Sequence, residues 1–144
     1  MSPLRRKILC ALSSALCFGA GNAMAEVVVV VSPRSALVAL SSNQITDIFL
    51  GKTSRFPNGQ HAVPVDLAEG SAERNEFYRK FADKTPAQIK AHWSKIIFTG
   101  RGQPPKEVLH DQGVKKMVAV NPGYIGYIDR SSVDEKVKVV QVQE

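Results

Sequence analysis

The sequence predicts an α/β fold, a sheet with helices packed on its faces. Three observations carry this. A run of β-branched residues, Val27 to Val31, reads as a strand buried on both faces. Two capping boxes, Ser41 with Gln44 and Thr85 with Gln88, open amphipathic helices. Strand-like and helix-like segments then alternate along the chain, as they do when helices cover a sheet.

The 144-residue chain begins with Arg5-Arg6-Lys7, a short apolar run from Ile8 to Ala20, and Ala23-Met24-Ala25. This order predicts a cleaved signal peptide over residues 1–25 and export to the periplasm. The apolar run is too short and too serine-rich to cross a membrane. An uncleaved anchor is the alternative reading. Both cysteines, Cys10 and Cys17, fall in this segment, so the part from Glu26 onward has no thiol chemistry. Ala15-Leu16 ahead of Cys17 is a poor lipid-attachment site. The part from Glu26 to Glu144 is the size of one domain. Of the net charge of +6, Arg5, Arg6 and Lys7 belong to the leader. The rest mixes acids and bases, which argues against nucleic-acid binding.

After Val31, Ser32-Pro33-Arg34 ends the first strand. The first helix starts at Ser41, buries Ile45, Ile48 and Phe49, and stops at Gly51. Lys52 to Gln60 is a polar loop with a Pro57-Asn58-Gly59 turn. Val63, Val65 and Leu67 form a second strand. Gly70-Ser71 then leads into a helix over Ala72 to Phe81, with Phe77 and Phe81 on one face. Ser71 reads first as that helix's cap. A strand feeding a helix through such a turn also leaves backbone N–H groups free for a small anion.

Pro86 opens a further helix with Ile89, Trp93, Ile96 and Ile97 on one face. Phe98 to Pro105 is a glycine-containing loop. Lys106 to Val120 reads as one helix with Gly113 a soft spot. Asn121-Pro122-Gly123 turns the chain into a strand over Tyr124 to Ile128. Gly126 within it predicts a bulge or the close approach of another backbone. Val137, Val139, Val140 and Val142 make a last strand.

Catalytic patterns are missing from the sequence. His61, His92 and His110 lack metal-ligand spacing. There is no nucleophile elbow and no Walker loop, and Gly51-Lys52-Thr53 lacks the earlier glycine. Glu69, Glu73 and Glu76 suit a helix dipole better than acid–base work. The expectation is a non-enzyme without metal or cofactor.

Three blocks together carry a resemblance: Gln44 to Lys52, Pro64 to Phe81, and Asn121 to Ile128. In order and spacing the chain resembles the substrate-binding proteins of phosphate ABC transporters, the PstS-like proteins of the type 2 periplasmic-binding fold. The resemblance implies a central mixed sheet with helices on both faces. It implies phosphate or another small oxyanion as ligand, held at Gly70, Ser71, Ala72, Glu73 and Arg74. It also implies a membrane transporter as partner.

The chain departs from that pattern in two ways. It is about half the length, so residues 26–144 correspond to one lobe. The family's Arg ahead of a Ser-Gly-Thr cradle is replaced by Asp66 and Leu67. Ser71 keeps the Ser, while Ala72 and Glu73 stand for the Gly and the Thr. A lost cation and a gained anion predict weak or lost phosphate binding. Arg74, Arg34 and Arg101 are the cations that could compensate. The alternative expectation is an interaction module that docks on a transporter, a channel or its own copy, with an exposed patch drawn from Phe56, Tyr124 or Tyr127.

Overall fold

The computed structural model describes residues 26–144. The predicted signal peptide lies outside the described residues. Among the described residues the fold is a mixed α/β sheet with four α-helices, as expected.

The first strand, β1 (Val27–Val31), is buried along its whole length. A short β2 (Ala39–Ser41) leads into α1 (Ser42–Phe49), which carries the Ser41/Gln44 capping box. Gly51 follows at φ 74°, a conformation that suits glycine, and ends the helix. After the loop come β3 (Val63–Leu67), α2 (Ala72–Ala82) and α3 (Pro86–Phe98). Next are β4 (Lys106–Val108), α4 (Asp111–Val120), β5 (Tyr124–Asp129), a 3-10 turn (Arg130–Ser132), β6 (Lys138–Val139) and β7 (Gln141–Gln143).

The main sheet runs β4-β3-β5-β1-β6. β3 is parallel to β4 and to β5, while β1 is antiparallel to β5 and to β6. β2 and β7 pair in parallel as a separate ribbon. Successive strand residues point to opposite faces. On β5, Gly126 faces Val114 and Val118 of α4. Its neighbour Tyr127 stacks on Phe77 of α2, ring centroids 4.0 Å apart, and touches Phe49 of α1. Helices therefore cover both faces of the sheet.

Three expectations need correction. Lys106 to Val120 is not one helix. Its first three residues pair with Val65 to Leu67, and the chain turns at Leu109-His110 before α4 begins. Sheet pairing overrides the local helical pattern there, and Val108 packs on Gly113, the residue read as a soft spot. The last strand is two: β6 joins β1, and β7 joins β2. Gly126 makes room for a side chain, not chiefly for a backbone: a Cβ there would lie 2.5 Å from Val114 Cγ1. Gly126→Ala is expected to destabilise the chain by about 1–3 kcal/mol through overpacking, read from denaturant midpoints. An unchanged midpoint contradicts this packing.

Candidate functional site

The β3–α2 turn sits at the carboxyl ends of the parallel strands, the usual location of ligands in open α/β sheets. Gly70 has φ 93°, with open space where a Cβ would sit. Ser71 caps α2: its Oγ accepts the Arg74 N–H at 3.0 Å. That leaves the Ala72 and Glu73 N–H groups as the other first-turn donors. Glu73 brings a negative charge to the same turn.

The Arg74 guanidinium does not project over the turn. Its Nη1 donates to Leu67 O at 3.0 Å and to Glu107 Oε1 at 2.6 Å, and lies 4.0 Å from Asp66 Oδ2. Its Cζ sits 5.7 Å from the Tyr78 ring centre. Burial works against the Arg74 cation, yet Asp66 and Glu107 outweigh it and hold its pKa above the ordinary value.

Beneath this lies Asp66, which is 1% exposed. Tyr78 OH donates to Asp66 Oδ2 at 2.6 Å, and Tyr127 OH donates to Oδ1. The Leu67 N–H donates to Oδ1 at 2.9 Å and reaches Tyr127 OH at 3.2 Å. Burial lifts the Asp66 carboxyl above its ordinary range, against the opposing pull of Arg74, the two hydroxyls and the Leu67 amide. Burial, then the charge of Asp66, pushes both tyrosine hydroxyls upward, so they stay protonated and donate.

Among the predicted cations only Arg74 is at the turn. Arg34 follows the carboxyl end of β1, and its Nη2 donates to Val120 O at 2.9 Å, just ahead of β5. Arg101 lies in the loop that enters β4 from its amino-terminal side. Since β3, β4 and β5 are parallel and β1 is antiparallel, both lie toward the end of the sheet opposite Ser71. At the Ser71 end, Arg130 pairs with Glu26 at 2.8 Å and Lys115 with Asp134 at 2.7 Å.

The exposed aromatic patch does not form. Phe56 and Tyr127 are core residues, and Tyr124 is half-buried. His92 is structural, its Nε2 2.9 Å from Leu50 O. Sequence reasoning missed the partnership of Asp66 with Tyr78, Tyr127 and Arg74. One signal was available: a lone acid inside the apolar strand Val63–Leu67 needs buried partners.

Asp66 gives a pH signature. Between 3.8 and its raised pKa the folded chain binds more protons than the unfolded chain, so this component of stability falls as pH rises. Glu76, Asp129 and Asp134 are held low, by hydrogen bonds from Arg79, Ser131 and Lys115, and slope the other way. The difference between wild type and Asp66→Asn isolates the Asp66 component. The wild type is expected to lose stability relative to the variant as pH rises through that window, read from melting curves. Parallel curves contradict it.

No protein-family profile matches the chain, and no curated protein sequence matches it. Solved structures do. The chain is similar to a candidate phosphate ABC transporter substrate-binding protein with bound phosphate from Clostridium perfringens, at 23% identity and a TM-score of 0.65. That match covers 81% of this chain and 44% of the other. An ABC-type phosphate transport receptor from Vibrio cholerae matches at 19% identity and a TM-score of 0.64, covering 81% and 45%. PstS from Borrelia burgdorferi matches at 13% identity and 0.62, covering 82% and 47%. The expected resemblance holds at the level of fold: this chain shares the fold of these phosphate-transport receptor structures and spans less than half their length, as a single lobe does.

Proposed function

We propose that this chain is an exported, non-enzymatic lobe of the phosphate-receptor type, with weak or lost oxyanion binding at Gly70, Ser71, Ala72, Glu73 and Arg74. The fold it shares with phosphate transport receptors supports the general reading. The observation that carries the weak binding is the 2.6 Å contact between Arg74 and Glu107. The one guanidinium at the turn already holds a carboxylate, and Glu73 and Asp66 add further negative charge. An incoming phosphate must displace Glu107 and approach two other acids. Its remaining donors are the Ser71 hydroxyl, backbone amides at an open helix start, and Lys90, which lies 4.0 Å from Glu69 and is exposed, so charge effects there are modest.

A second reading, docking on a transporter, a channel or a second copy, draws support from exposed Ile97 and Phe98 at the end of α3. This replaces the aromatic patch expected from the sequence.

Calorimetry of the Glu26–Glu144 chain with inorganic phosphate tests the proposal. A dissociation constant weaker than about 1 mM, or no measurable heat, is expected. Stoichiometric binding at micromolar concentration overturns it.

A further inference from the structure

Between Asp83 and Glu107 the chain carries Lys84, Lys90, Lys95, Arg101 and Lys106 and no acidic residue. This segment is α3 and its two flanking loops. Lys90, Lys95, Arg101 and Lys106 are all exposed. Among the described residues only Lys90 of these four comes within ion-pair distance of a carboxylate, Glu69, at a loose 4.0 Å between two exposed groups. The mixed charge of the chain as a whole hides this one-sided stretch.

The same segment holds the most exposed large apolar side chain among the described residues. Phe98 is 92% exposed and its neighbour Ile97 is 49% exposed. They sit at the carboxyl end of α3, whose inner face buries Ile89 and Trp93 against the core. The chain turns away at Gly100, φ 66°, and the Arg101 N–H bonds back to Ile96 O at 3.0 Å, so the helix end is a firm platform. Ala87, Ala91 and Ser94 continue the exposed surface toward the helix start without an acid.

We propose that the end of α3 and the loop after it dock this protein on an anionic phospholipid surface. Phe98 and Ile97 enter the headgroup boundary, and Lys95, Arg101 and Lys106 engage lipid phosphates. Two considerations favour a bilayer over other acidic partners. An aromatic beside an aliphatic residue at a helix end, ringed by cations, is the composition of interfacial anchors. Single-stranded nucleic acid instead calls for several aromatics spaced along a groove, and this face has one. No helix among the described residues is long and apolar enough to cross a membrane. The loop leads into the amino-terminal end of β4, away from the Ser71 turn, so this proposal stands independently of anion binding there.

Co-sedimentation of the Glu26–Glu144 chain, which contains the whole described core, tests the proposal. Binding is expected to vesicles of phosphatidylglycerol and phosphatidylcholine, not to phosphatidylcholine alone, and is expected to weaken as salt rises. Phe98→Ser lowers partitioning roughly tenfold. Lys95→Glu with Arg101→Glu lowers it at least about tenfold. Both variants alter exposed side chains and keep the wild-type melting temperature. Four results overturn the proposal: no vesicle binding, equal binding to neutral and anionic vesicles, tighter retention on a single-stranded oligonucleotide than on vesicles, or a lipid-free dimer that Phe98→Ser abolishes.

Discussion

The buried carboxylate of Asp66 is the constraint on which the rest of the site depends. It stands on β3, and the two hydroxyls that satisfy it come from α2 and β5. A charge this deep is tolerated only when its lone pairs are filled. Filling them fixes where α2 crosses the sheet. Tyr127 reaches Asp66 with its ring laid on Phe77, and Phe77 packs in turn on Phe49 and Phe81. One hydrogen-bonded carboxylate thus sets the packing of an aromatic cluster that joins α1, α2 and the sheet. It also helps hold Arg74 down against β3 and β4, away from the start of its own helix.

On the proposed reading, that arrangement makes a helix start of suitable geometry a poor anion trap. The turn at Gly70-Ser71 has the backbone shape such sites use. Its electrostatics run the other way. Ser71 Oγ accepts the cap bond, Arg74 is shared between carboxylates, and Arg34 and Arg101 lie at the far end of the sheet. At the end of α3, by contrast, exposed Phe98 and Ile97 stand in a segment whose charged residues are all basic.

Local features were legible in the sequence and distant pairings were not. The capping boxes at Ser41 and Thr85, the stop at Gly51 and the cap at Ser71 involve residues a few positions apart, and each forms as read. The buried valines of β1 declared themselves by composition. Lys106 to Val108 could not be recognised as a strand, because its only reason to extend is a partner some forty residues earlier, on β3. Asp66 was legible as a departure from a family pattern. Its role was hidden because its partners stand 12 and 61 residues away. Tyr127 illustrates the same limit: read alone it is an aromatic free to face solvent, and in the fold it is fully buried.

A double-mutant cycle on Asp66→Asn and Tyr127→Phe tests the central claim most directly. If the buried carboxylate organises β3, β5 and α2 through that hydroxyl, the two changes couple strongly. A coupling energy of about 1.5–3 kcal/mol in denaturant unfolding is expected, as for a buried hydrogen bond to a charged group. Additive effects, with coupling near zero, would show that the aromatic cluster holds these elements together without Asp66 and would contradict the account.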